Sequence, residues 1–358
     1  MSALQMSMYH VFTNSFTLWD EAYGCPANLS DIRFERPVLG AVFLITGMIF
    51  LTLYIPCLIA IIKKKFRAPV YQLMFALAIF DIISLSINSL CTGIFDILGI
   101  SFCHYPLIIF CIGALAVSTW MSGCLACVML AIERCAEINP EFPLEFLFRK
   151  SVFPYVRILM IIYTIYTFLF MKSVVFLSVC SCWYFDPLLG KDPNLYYSMS
   201  NTINNYAVGV TTTLMYIYIS YRLIFQQGYS TSMWLYKTKR QILFQAFTLC
   251  IFHTATAFIY ELMQFITVTP AIVIVSQFLW QWSNGAVCLA YLIFNRMIRN
   301  MVLKMVIPKN IRVKYGWHVG VDEHIALEKA EAAAIAGTGL AVLNSAGSVV
   351  KVDNFVVN

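Results

Sequence analysis

The chain has 358 residues, 60% of them hydrophobic and only 12% charged, about half the charge share of an ordinary soluble domain. With 16 glycines, 12 prolines and no fixed-period repeat, disordered, collagen-like and solenoid architectures drop out. The formal net charge of +6 is not gathered on an exposed basic face, so no nucleic-acid partner is expected.

The opening residues, MSALQMSMYHVFTNSFTLWD, lack a basic start and a continuous apolar run, so the first membrane span is expected to do the targeting. A bilayer core about 30 Å thick needs roughly 20 apolar residues in a helix. Seven stretches qualify: Val38 to Ile62, Val70 to Phe95, Tyr105 to Ile132, Pro154 to Cys180, Ile203 to Tyr221, Ile242 to Thr269 and Ala271 to Phe294. The fourth carries Arg157 and Lys172 near its two ends, where both are expected to reach an interface. The chain is therefore expected to be an all-α membrane protein, a seven-helix bundle.

With an extracellular N-terminus, eighteen Lys and Arg as far as Lys314 fall on the cytoplasmic side and only Arg33, Arg36, Lys172 and Lys191 outside, with Lys329 and Lys351 in the distal tail. That bias sets the orientation. Residues 1–37 then form an extracellular segment, 38–307 the seven-span domain, and 308–358 a cytoplasmic tail expected to be flexible. Asn28-Leu29-Ser30 is the one N-x-[ST] sequon and lies outside, making Asn28 a glycosylation candidate. After the last span, Met297, Ile298, Met301, Val302 and Met305 recur at helical spacing opposite basic residues, the pattern of a short amphipathic helix on the inner leaflet.

Chemistry-bearing residues are few. Of five histidines only His253 lies in a span, Cys124-x-x-Cys127 sits in an uncharged helix, and no nucleotide loop or zinc motif is present. No enzymatic activity, metal centre or cofactor is expected. The final span has no lysine, which excludes a retinal Schiff base. Cys103 at the start of the third span is expected to bridge to Cys180 or Cys182 in the second outer loop. Cys111 is the rival for the third-helix end, and Cys25 is left for the remaining loop cysteine.

Ionisable groups at membrane depth suggest function. Asp81 shares a helix face with Ser84 and Asn88 and is expected either to be neutral or to hold a cation, sodium being the candidate. Glu261 in the sixth span, with Gln264 one turn on, and Trp280, Gln281 and Asn284 in the seventh are candidates for a ligand cavity entered from outside. Glu133 and Arg134 stand side by side at the cytoplasmic end of the third span.

The segment LAIFD, Leu77 to Asp81, resembles the second-helix motif of rhodopsin-like G-protein-coupled receptors, and LAIERC, Leu130 to Cys135, resembles their acid-Arg-aromatic motif. More narrowly, LYIPCL (Leu53 to Leu58), FCHYP (Phe102 to Pro106), WMSGC (Trp120 to Cys124) and LAIERC are similar to the nematode serpentine receptor class T family of candidate chemoreceptors. The resemblance covers roughly Tyr23 to Ile307. It implies a receptor in the plasma membrane, of a sensory cilium for a chemoreceptor, that binds a small molecule outside and activates a heterotrimeric G protein inside. Glu133, Arg134, Asp81 and Asn284 then form the activation switch. Three departures stand out: the sixth span lacks the Cys-Trp-x-Pro of rhodopsin-like receptors, Asn284 is followed by Gly285 where proline is usual, and Cys135 replaces an aromatic residue. The competing class is a seven-helix channel or transporter without G-protein coupling, for which inverted repeats and matching helix breaks are the signature. Neither is present in the sequence.

Overall fold

The computed structural model describes residues 2–26, 32–63, 68–222, 233–263 and 269–315. Asn28, Gln264 and residues 316–358 lie outside these, as does side-chain detail for Lys237, Lys239 and Arg240. Five described helices are long and apolar enough to cross a membrane: Pro37–Ile62, Pro69–Leu98, Pro106–Ile138, Phe153–Phe170 and Pro270–Phe294. Met199–Tyr221 and Met233–Leu262 are the two other long helices, the fifth and sixth in order, and complete a seven-helix bundle. Four of the seven begin at a proline, Pro37, Pro69, Pro106 and Pro270. At that position the ring fixes φ for the helix and the missing N–H has no partner to lose.

The helices present apolar side chains outward as well as inward. Ile45, Ile49 and Ile55 of the first span, Ile158, Leu159 and Ile162 of the fourth and Val210, Leu214 and Ile217 of the fifth are exposed. Asp81, Asn88, Asn205, Gln277, Gln281 and Asn284 are buried. Such an exposed apolar surface is stable only in lipid, and polar side chains then hold the helices together from within.

The second span is not a uniform helix. Ser86–Cys91 forms one π turn between Pro69–Leu85 and Thr92–Leu98, with the Thr92 hydroxyl donating to the Ile87 carbonyl at 3.1 Å. Gly99 ends the span at φ 63°, a left-handed closure that glycine accepts without a Cβ penalty.

The fourth span departs from the expected range. Its helix stops at Phe170, and the apolar run that follows forms an antiparallel hairpin of β1 (Val175–Leu177) and β2 (Cys182–Tyr184), with Phe176 opposite Trp183. Lys172 therefore does not reach an interface along a helix. Its ammonium donates to the carbonyls of Leu195 and Tyr197, each at 2.7 Å, tying the hairpin's exit loop to its entry. The hairpin can settle onto the third span because Gly113 has no side chain; a Cβ there would overlap the Val174 carbonyl.

The N-terminal residues fold over the same end of the bundle. Short helices Ser2–Gln5, Met8–Thr13 and Asp20–Tyr23 bury Met6, Met8, Val11, Ala22 and Tyr23. The Tyr23 ring lies edge-on to Phe102, Phe110 and Tyr196, and the Tyr196 hydroxyl donates to the Ala22 carbonyl at 2.6 Å.

By contact the chain divides into two compact units, 1–299 and 300–358. Within the second, helix Lys309–Lys314 follows the end of Arg296–Val306, and the Arg312 Nε donates to the Ile307 carbonyl at 3.0 Å.

Candidate functional site

Under the hairpin lies a cavity of about 530 Å³, within the range of about 300–1,000 Å³ usual for small-molecule sites. The third span contributes Ala116, Val117 and Trp120; the fifth Asn201 and Asn205; the sixth Thr256, Tyr260 and Met263; the seventh Trp280. Val174, Trp183 to Asp186, Pro193, Asn194 and Tyr196 to Ser198 form the remaining wall. Pro193, Asn194 and Tyr197 are exposed and mark its mouth, while Trp120 and Trp280 are buried and lie deeper. Trp120 stacks on His253, centroid to centroid 5.8 Å with the planes 8° apart.

Asn205 is the polar centre of this wall. Its Oδ1 accepts from Trp120 Nε1 at 3.0 Å, and its Nδ2 donates to Glu261 Oε1 at 2.8 Å. One side chain thus joins the third, fifth and sixth spans. Glu261, expected from the sequence to meet a ligand first, is buried one hydrogen bond behind Asn205 and is not part of the cavity surface.

The seventh-span candidates separate. Trp280 lines the cavity, but Gln281 turns away from it and donates to the Phe43 carbonyl at 3.0 Å, Thr46 Oγ1 at 2.8 Å and Ser89 Oγ at 2.9 Å. The reason is angular: consecutive residues on a helix stand about 100° apart and do not share a face. Asn284 donates to the Trp280 carbonyl at 2.8 Å, where Asn88 of the π turn also donates at 3.4 Å. Gln277 donates to the Asn88 carbonyl at 3.0 Å and to Thr92 Oγ1 at 3.4 Å, and Thr92 Oγ1 accepts from Trp183 Nε1 at 2.9 Å. A continuous polar path therefore runs from the hairpin through the second and seventh spans to Asn284.

Gly285, in place of the usual proline, has a packing cause. A Cβ there would overlap the Phe50 ring of the first span. Deeper still, Asp81 is 1% exposed; its Oδ2 accepts from the Tyr54 hydroxyl at 2.5 Å and its Oδ1 has no hydrogen-bond partner among the described residues. A proton or one small monovalent cation would satisfy that oxygen. Ser84, on the same helix face, donates instead to Thr119 Oγ1 at 2.9 Å.

At the far end of the third span, Arg134 Nε lies 3.3 Å from Glu133 Oε2, and its Nη1 pairs with Glu137. Glu137 was not singled out in the sequence, although its i,i+3 spacing from Arg134 places it on the same helix face.

The cysteine pairing differs from expectation. Cys103 is bonded to Cys25, with Cα atoms 5.6 Å apart, not to Cys180 or Cys182. The N-terminal cap brings Cys25 to the third-span end, and Cys111 is free. Cys180 and Cys182 are also free, their sulfurs 3.0 Å apart at the start of β2. The contact with Cys182 holds the Cys180 thiol below its ordinary pKa; the same contact and then burial push Cys182 up.

The residues that sequence reasoning missed are Asn205, Trp120, Trp183, Tyr184, Asp186, Tyr196 and Tyr260. The pair Asn204-Asn205 inside a span was the available signal, because polar residues at membrane depth call for a partner. The loop residues carried none.

The profile described as "Serpentine type 7TM GPCR chemoreceptor Srt" matches residues 6–315. The chain is also similar to serpentine receptor class T-55 of Caenorhabditis elegans, 21% identical over 270 residues, which is 74% of each chain. With seven helices, a cavity under a hairpin and Glu133-Arg134 at the end of the third span, the chain belongs to the Srt family of serpentine seven-transmembrane chemoreceptors.

Proposed function

We propose that this chemoreceptor has its N-terminus and hairpin outside the plasma membrane, takes a small molecule into the cavity beneath the hairpin, and activates a heterotrimeric G protein through Arg134. The placement of the two candidate sites on one helix carries the reading. Trp120 and Arg134 are fourteen residues apart in Pro106–Ile138, about 21 Å at 1.5 Å per residue. A ligand touching Trp120 cannot touch Arg134, so its influence must be a shift between two arrangements of the bundle. The polar path from Trp183 to Asn284 supplies groups whose hydrogen bonds such a shift would exchange. Arg134 has five donors in a fixed fork; released from Glu133 and Glu137, it would offer them to backbone carbonyls of a docking helix. Asp81 takes the resting-state role: a sodium ion at its free oxygen would favour one arrangement, so sodium should lower agonist affinity in the wild type and have no effect in Asp81→Asn.

The test combines topology with signalling. Tags before Cys25 and after Ile307 should be reached by antibody on intact and on permeabilised cells respectively, and a ligand of the cavity should stimulate nucleotide exchange on a co-expressed G protein. The reversed tag pattern, or an ion current without exchange, refutes the reading and favours a channel.

A further inference from the structure

Eight aromatic side chains line the cavity: Trp120, Tyr260 and Trp280 from the third, sixth and seventh spans, and Trp183, Tyr184, Phe185, Tyr196 and Tyr197 from the segment 183–197. Asp186 is the sole charged side chain among the described lining residues; no Lys, Arg or His is among them. Its carboxylate is fixed rather than free to swing. Oδ1 accepts from the Leu188 N–H at 2.8 Å, closing a turn in which Leu188 adopts φ 56°. It stands close enough to the phenols of Tyr184 and Tyr196 to help burial raise both, Tyr196 to about 12. The other carboxyl nearby is Glu261, one hydrogen bond behind Asn205. Of the basic groups nearby, Lys172 is turned onto the Leu195 and Tyr197 carbonyls and His253 stacks on Trp120; neither is part of the wall.

Aromatic faces carry negative quadrupole charge, so a ring-lined cavity attracts a cation, most strongly one that gives up little hydration. An ammonium bearing alkyl groups meets both conditions: its methyl or methylene surface is apolar, while its charge is drawn to the rings and to a carboxylate. An organic anion would meet ring faces and Asp186 with no counter-charge. We infer that the cavity selects a small organic ammonium ion, tertiary or quaternary, with Asp186 as its counter-ion and the tryptophan and tyrosine rings as its cage. This rests on the reading of the cavity as the ligand site and specifies what that site takes.

The inference is tested on the full chain, purified in lipid nanodiscs, by following intrinsic tryptophan fluorescence and the thermal midpoint. The probes form a matched set of similar shape: choline, the neutral 3,3-dimethyl-1-butanol and the anionic 3,3-dimethylbutyrate, with benzyltrimethylammonium as a larger cation. At least one cation should bind tenfold or more tighter than the neutral probe, and the anion more weakly still. Asp186→Asn, shown to be folded by its unligated midpoint, should weaken cation binding about tenfold, equivalent to about 1.4 kcal/mol, and leave the neutral probe unchanged. The wild-type series needs no variant, so a misfolded Asp186→Asn does not rescue or sink the idea. Equal binding of cation and neutral probe, preference for the anion, or no binding of either cation overturns it. Nucleotide exchange is read separately. A cation that binds without stimulating exchange supports this inference and counts against G-protein coupling; a neutral or anionic agonist displaced from the cavity does the reverse.

Discussion

At the hairpin end, the Cys25–Cys103 bond, the Tyr196 bond to Ala22 and the Lys172 bonds to Leu195 and Tyr197 join residues far apart in sequence. At the Arg134 end, the three described ion pairs, Arg134 with Glu133, Arg134 with Glu137 and Arg149 with Glu145, each join residues within four positions of one another. Long-range ties fix the arrangement of several elements at once, so the cavity walls are held in place before a ligand arrives. The ion pairs restrain side chains within one segment, and the ties between helices at this end, such as Asn139 to the Tyr218 hydroxyl and Arg157 to Gln72, each at 2.9 Å, are non-covalent and partly or fully exposed. Under the proposed function, the firmly tied end is the one that takes the ligand and the locally latched charge is the one that answers.

The largest effect should come from removing the latched charge. Arg134→Ala is expected to reduce ligand-stimulated exchange to the basal level while surface expression and ligand binding change little, measured at matched surface density. Retained stimulation would make Arg134 a marker of the water interface and nothing more. Next, the covalent tie: Cys103→Ser and Cys25→Ser open the same loop, so each should lower stability by roughly 4 kcal/mol in the chain-entropy picture, and the double variant should be no worse than either. If Cys180→Ser lowers the midpoint as much as Cys103→Ser, the bond connects different residues.

Weakening the latch should be milder. Glu133→Gln is expected to raise basal exchange by up to about tenfold, since losing about 1.4 kcal/mol of resting preference shifts a two-state balance by that factor. Glu137→Gln should do less, because its side chain is 51% exposed against 12% for Glu133, and solvent screens an exposed pair. The reverse ranking would assign the restraint to Glu137. The smallest effect concerns the hairpin itself. Because the Cys182 thiol stabilises the Cys180 thiolate, alkylation of Cys180 should rise with pH through a midpoint below the ordinary thiol value of about 8.5. Cys182→Ala should move that midpoint up, as mass spectrometry of the modified peptide against pH would record.

The spans were legible in the sequence because lipid imposes a length and excludes charge, and both leave a mark in every residue of a segment. The fourth was overread at one end. Val174 to Leu177 is an apolar run preceded by Lys172-Ser173 with no Gly, Pro, Asn or Asp to stop a helix, and a short buried strand cannot be told from helix by periodicity. The N-terminal cap was invisible for a related reason: Met6, Met8, Val11 and Tyr23 are too scattered to show a period, and their burial comes from elements distant in sequence, Tyr23 against Phe102, Phe110 and Tyr196 and the Met8–Thr13 helix against the fourth span. Missing the cap led directly to the wrong partner for Cys103. In the site, Trp280 was placed in the cavity and Gln281 wrongly beside it, although neighbouring helix positions diverge. Asp186 and Trp183 become neighbours of Trp120 and Asn205 only when the hairpin folds down, which no local pattern announces.

The π turn at Ser86–Cys91 bears on how related chains are to be compared with this one. A π turn holds one residue more than the helix around it needs, so everything beyond it is advanced by about 100° relative to a regular helix. Thr92 and Asp96 are buried on this side of that rotation. Counting outward from Asp81 along a relative whose second span is regular would match Thr92 with a lipid-facing position. An alignment of such a pair needs a single gap within 86–91, and a chain bearing that gap should place a different residue where Thr92 receives Trp183.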